Sequence, residues 1–232
     1  MKHEKSPQDV ARRALCLAAT VCRGSIDHGA GHPDAEDLVD RIDAWIRSLG
    51  IDTALESFEV RLLATPLGEL PERDRIAATW SVEGLAILAW ALGIDELPKH
   101  DTKVDPFAVT DSLYFLGSDA TRVITDATLR SQQELSAYRE LAYAMHCRLR
   151  AELRERQTTD FTNWIDPNDL ELLVTKPSDL IIDQDLAIGD VSTHQAGRDQ
   201  VEQCEWITTP RHRAIIWLVE GEPTYWDTPV DT

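Results

Sequence analysis

Thr79-Trp80-Ser81-Val82-Glu83-Gly84-Leu85-Ala86-Ile87-Leu88-Ala89-Trp90-Ala91-Leu92-Gly93-Ile94 is the stretch on which the fold turns. Written as a helix it is apolar on nearly every side, and a helix without a polar face belongs at the centre of a globular core. One carboxylate, Glu83, sits in it among Trp80, Trp90 and aliphatic residues. A carboxylate taken out of water needs a partner or gives up its charge. As a structural ion pair, Glu83 meets an arginine from a distant segment, with Arg130, Arg211 and Arg213 as the candidates. As a general acid or base it lines a pocket, with its proton affinity raised by desolvation. In a third arrangement its side chain simply reaches the surface.

The pattern around this stretch is helical throughout. The central helix is expected from about Glu72 to Leu92, with Gly93 as its stop. Upstream, Ser6-Pro7 reads as an N-cap and first-turn proline, and Val10, Ala14, Leu17, Ala18 and Val21 fall on one face. Arg23 to Gly31 reads as a loop. Pro33 opens a second helix carrying Leu38, Ile42, Trp45, Ile46 and Leu49, and Gly50 closes it. Leu55–Ala64 and Pro106–Gly117 read as short helices, separated from the central one by the Thr65-Pro66-Leu67-Gly68 turn and a proline-containing linker. A long helix is expected from about Asp126 to Arg156, with Leu135, Tyr138, Ala142, Met145 and Leu149 inward. Its arginines, Arg148, Arg150, Arg154 and Arg156, suit a solvated C-terminal half. Leu180-Ile181-Ile182 and Leu186-Ala187-Ile188 read as two small strands. A helix over Arg198–Trp206 follows, and Thr209-Pro210 reads as the cap of a last helix, Arg211–Val219, ended by Gly221. The fold expected is mainly α: one helical domain over 1–232, bundled around a buried helix at about 72–92, with a small extended element near 179–194.

Charge narrows the function. The net charge is −18, and residues 159–232 hold four basic side chains against fifteen acidic ones, a balance of −11 that leaves −7 for the first 158. No basic footprint for nucleic acid is present, and no apolar run approaches the ~18 residues that suggest a membrane span. The N-terminus lacks the apolar core of a signal peptide. Four cysteines without a Cys-x-x-Cys pair fit inert thiols in a reducing cytoplasm. The acidic excess points to solubility or to a basic protein partner.

Chemistry-bearing motifs are sparse. Walker A, Gly-x-Gly-x-x-Gly and Gly-x-Ser-x-Gly patterns are absent, so no cofactor is expected. Asp27, His28, His32 and Asp34 are the one group with metal-compatible side chains, but Gly29, Gly31 and Pro33 argue for an exposed loop, and no metal site is expected. Arg211-His212-Arg213 at the start of a helix offers either an anion site or one inward-turned arginine that links the C-terminal helix to the centre. The candidate binding residues are Arg130, Arg211, Arg213 and Asp227; Trp80, Trp90, Trp217 and Trp226 are candidate structural anchors.

Taken together, Trp80-x-x-Glu83-Gly84-Leu85 running into Leu88-Ala89-Trp90-Ala91-Leu92-Gly93, Leu129-Arg130-Ser131-x-x-Glu134-Leu135 with Tyr138-Arg139, Arg211-His212-Arg213-Ala214-x-x-Trp217-Leu218 and the Trp226-Asp227…Asp231-Thr232 close resemble the bacterial domain of unknown function 4272. The resemblance implies a mainly helical module without an established activity, associated with partner binding in bacterial conflict systems. Pro210, Ile216 and Ser81 depart from it, where Glu, Asn and Arg are the family's usual residues, and this removes polar groups an activity would use. The leading expectation is a non-catalytic binding protein, an acidic inhibitor of a basic protein. The rival is a hydrolase-like or anion-processing enzyme built on Glu83 with Arg130, Arg211 or Arg213.

Overall fold

The computed structural model describes residues 5–155, 160–174 and 176–230. Among them it is mainly α with a small antiparallel sheet. The helices are α1 (Pro7–His28), α2 (Ala35–Leu49), α3 (Ser57–Ala64), α4 (Glu72–Ala91), α5 (Pro106–Ser112), α6 (Ala120–Thr125), α7 (Gln132–Glu155), α8 (Pro167–Leu173) and α9 (Arg198–Glu220). As its sequence demands, α4 is enclosed: α1 packs along one side and α9 along another, and α7 lies against α9. Val82, Leu85, Ile87, Leu88 and Ala89 are fully buried in the main core, together with Leu15, Leu17, Leu113 and Ile215. A second core under α7 holds Leu141, Met145, Leu149, Phe161, Leu186 and Val201.

Strands β1 (Ile181–Ile182), β2 (Asp185–Ile188) and β3 (Val191–Ser192) follow one another antiparallel, with Ile182 opposite Asp185 and Ile188 opposite Val191. The third strand escapes a sequence reading because two residues are too few to show alternation. Two-residue turns, Asp183-Gln184 and Gly189-Asp190, join the strands, and Asp183, Gln184 and Gly189 take the left-handed backbone that such turns require.

Four sequence-based boundaries are overturned. The segment expected as a loop from Arg23 is helical to His28, because Arg23 and Asp27 are buried and paired one turn apart, 3.0 Å between Nη1 and Oδ1. The arginine's Nη2 donates to the carbonyls of Thr65 and Pro66, which pins the turn after α3 onto α1. The helix from Pro106 stops at Ser112 rather than Gly117, and Tyr114 and Leu116 then adopt positive φ.

The long helix expected from Asp126 starts only at Gln132. Arg130 leaves helical geometry to donate its backbone N–H to Ala91 O and its Nε to Trp90 O, capping the C-terminus of α4. Ser131 and Glu134 then form a capping box, each side chain accepting from the other's backbone N–H, which gives α7 its own start. Last, α9 runs unbroken through Pro210, so Thr209-Pro210 is no cap and Arg211-His212-Arg213 lies mid-helix with no N-terminal anion site. Propagation from both sides overrides one missing hydrogen bond, at a local cost of about 3 kcal/mol.

Gly24 faces α4 so closely that a Cβ there would lie 2.8 Å from Ala78 Cβ. Neither backbone can yield without repacking the core, so Gly24→Ala is expected to destabilise the protein by about 1–3 kcal/mol despite alanine's better helix propensity. Urea unfolding followed by circular dichroism checks this; an unchanged or raised stability excludes the close approach.

Candidate functional site

Glu83 is fully buried, and the arginine it meets is Arg211. Arg211 donates Nε and Nη2 to Oε2 of Glu83, at 2.9 and 2.6 Å, while Oε1 accepts the backbone N–H of Val104 at 3.1 Å. Nη1 and Nη2 also donate to the carbonyls of Lys99 and Thr102, both at 2.8 Å. Both carboxylate oxygens and all three guanidinium nitrogens are thus occupied. The arrangement joins α4, α9 and the 99–104 connection, and Tyr138 lies close enough to feel both charges, although burial dominates in raising its phenol above the usual range.

One position along α9, His212 meets His146 of α7, with Nδ1 to Nδ1 3.0 Å apart and both rings buried. Burial, with His146 and Arg139 adding to it, pushes His212 down to about 3, so its imidazole is neutral at pH 7. His146 Nε2 faces Thr209 Oγ1 at 3.3 Å and Glu205 Oε1 at 3.7 Å, and this contact holds Glu205 below the usual carboxylate range.

The other nominated residues scatter. The guanidinium of Arg130 is engaged with Trp90 O and Glu134. Asp227 is exposed and accepts from Thr224 Oγ1 within its own turn. Trp90 packs on Tyr138, Trp217 on Tyr225, and Trp226 on Phe58. Arg148, read as part of a solvated run, is instead fully buried: Asp185 accepts from Nε and Nη2 at 2.6 and 2.8 Å, and Glu152 from Nη2 at 2.9 Å. Arg156 lies outside the described residues. Asp27 is buried rather than exposed, accepting from Arg23 and from the backbone N–H of Gly68. Among the described residues no group of three or more His, Cys, Asp or Glu is placed to hold a metal ion. The thiols are free, and burial pushes Cys16 up to about 12 and Cys22 and Cys204 up to about 11.

Trp80, Arg213 and Trp226 do converge, on a cleft of about 310 Å³ between α4, α9 and the C-terminal segment, where Trp206 and Tyr225 join them. Its shape rests on a network that sequence reading missed. Arg13 of α1 donates to both oxygens of Glu59 at 2.7 Å and lies 3.4 Å from Glu56. Glu56 in turn accepts the backbone N–H groups of Tyr225 and Trp226 at 2.7 and 3.0 Å, seating the C-terminal segment against the cleft. The spacing Glu56-x-x-Glu59 ahead of an apolar run was the available signal, a capping pattern with both carboxylates on one helix end.

A sequence profile described as "Domain of unknown function (DUF4272)" matches residues 2–167. The chain belongs to the DUF4272 family. The DUF4272 match spans α1 to α7, including Glu83, Arg13 and Glu59, and ends at the start of α8, so Arg211, the small sheet and the motifs of α9 and the C-terminal segment lie beyond it. No curated protein and no solved structure matches the chain.

Glu83→Gln leaves a buried arginine with an uncompensated charge and is expected to cost about 3–5 kcal/mol, whereas Glu83→Leu combined with Arg211→Met is expected to recover most of that loss. Denaturant unfolding of the single and double variants checks both signs. A second expectation concerns acid. With its folded pKa depressed, His212 stays neutral in the native state while the unfolded chain takes up a proton below about 6.5, so stability falls as pH drops from 6.5 toward 3, at up to about 1.4 kcal/mol per pH unit. His212→Gln is expected to flatten this slope between pH 6.5 and 5 in urea titrations; an unaltered slope removes His212 as its source.

Proposed function

We propose that this DUF4272 protein is a non-catalytic protein-binding module whose partner is basic. The observation that carries the reading is the surface built by residues 160–190. Asp160, Asp166, Glu171, Asp179, Asp183 and Asp190 are exposed there, with Lys176 as the one basic residue of the segment. Trp164 and Leu172 also stand exposed on it, at 41% and 42%. An exposed tryptophan in an acid-rich segment is the composition of an interface anchor with a polar rim. The segment is tied together rather than loose: Phe161 N–H donates to Gln184 O, and Gly189 N–H to Asp101. Carboxylates of one sign speed the encounter with a cationic partner and make it sensitive to salt.

The enzyme alternative built on Glu83 draws less support. Its carboxylate is sealed from solvent and already carries charge-assisted and backbone hydrogen bonds, so it has neither access to a substrate nor a free oxygen for a proton. Four free thiols, together with the absence among the described residues of a helix long and apolar enough to cross a membrane, favour a cytoplasmic setting.

Capture from native extract tests the reading, comparing the wild type with Trp164→Ala and with Asp166→Lys/Glu171→Lys. A specific basic protein is expected on the wild type at about 0.05 M salt, strongly reduced by either variant and at about 0.3 M salt. Capture that ignores both variants, or no basic protein at all, overturns it.

A further inference from the structure

The cleft beside α9 contains donors without acceptors. Arg213 Nε, Trp226 Nε1 and the Tyr225 hydroxyl are each buried and each lacks a hydrogen-bond partner. All three residues line the same cleft. Tyr225 is completely buried, its hydroxyl set against the bare backbone of Gly84, where a Cβ would lie 2.0 Å from it. Buried polar groups in folded proteins are nearly always paired, so three unmatched donors in one cleft mark a place that an acceptor fills. Among the described residues Arg213 also forms no ion pair, in a chain of net charge −18. The carboxylate of Glu205 shares the cleft but is turned to Thr209 and His146.

Arg73, Ser81 and Thr209 also line the cleft, and the remainder of the lining is apolar and aromatic. Trp80 and Trp206 lie with ring centroids 5.5 Å apart, tilted by 57°, and Ile76 and Ala77 continue the wall. At about 310 Å³ the cleft is at the small end of ligand pockets, the size of one or two fused rings. An aromatic corner beside unmatched N–H donors, one of them cationic, selects a planar ring that carries an anion.

We propose that this cleft binds a small aromatic carboxylate. The ring lies against the Trp80–Trp206 pair, and the carboxylate accepts from Arg213 and Trp226. The site stands apart from the 160–190 surface and does not depend on the reading given to it.

Titration of the intact protein with phenylacetate and 1-naphthylacetate, read by tryptophan fluorescence and by calorimetry, tests the proposal. Phenylacetamide supplies the ring without the charge, and acetate supplies the charge without the ring. Saturable binding of at least one aryl carboxylate is expected, with its amide and acetate weaker by roughly tenfold or more. Arg213→Gln is expected to abolish the preference for acid over amide, and Trp206→Ala, a half-exposed position, to weaken the acid and amide alike. Three results each overturn the assignment: no saturable signal from either aryl carboxylate up to about 10 mM, equal binding of acid and amide by the wild type, or wild-type affinity in both variants. The acid-against-amide comparison needs no variant, so a folding defect in Arg213→Gln leaves the test intact.

Discussion

The structure depends on keeping one charge in the middle of a helix that has no polar face. α4 must be surrounded because its sequence offers no side to water, and Glu83 must be neutralised where it then lies. Arg211 does this with two N–H groups on one carboxylate oxygen, and its other donors take the carbonyls of Lys99 and Thr102. A guanidinium has fixed donor directions, so meeting these acceptors together sets the position of α9 along α4 and holds the 99–104 connection across both. Such a pair adds little net stability over well-packed apolar groups; what it supplies is a unique register.

The same device recurs elsewhere. Arg23 with Asp27 clips the turn after α3 onto α1, Arg13 with Glu59 and Glu56 brings α3 and the C-terminal segment to α1, and Arg148 with Asp185 and Glu152 fastens the small sheet to α7. Each arginine is buried and reaches from a long helix to a short element or connection. Charge-assisted hydrogen bonds there add direction to what apolar burial already holds. The cleft is a product of this: its C-terminal wall stands where Glu56 receives two backbone N–H groups, and Glu56 is placed by Arg13.

The DUF4272 match and the tertiary structure divide the molecule differently. The match closes at residue 167, yet the central ion pair takes its acid from inside that span and its base from outside. The 160–190 surface and α9, which between them carry the acidic face and half of the aromatic cleft, fall largely beyond it. The cleft and the packed core alike therefore draw residues from both sides of position 167.

Sequence alone determined the helical class, the central burial of α4, the N-terminal cap of α1, the glycine that ends α2, and the need of Glu83 for a partner. These follow from periodicity, from cap chemistry and from the cost of desolvating a charge, all of which act within a few residues or on composition. It also located the extended element, through short apolar runs between turns. Only tertiary structure decided which of Arg130, Arg211 and Arg213 meets Glu83, because the choice depends on where α7 and α9 pass α4, and separations of 47 to 130 residues leave no local trace. The same reason hid the burial of Arg148 against Asp185, of Asp27 against Gly68, and the Arg13 network. Pro210 shows the limit most plainly: its local preference for a helix start was real, but packing of α9 along α4 and α7 outweighed one lost hydrogen bond. Spacing along a chain reveals which groups need partners, and only the packing of helices against one another assigns them.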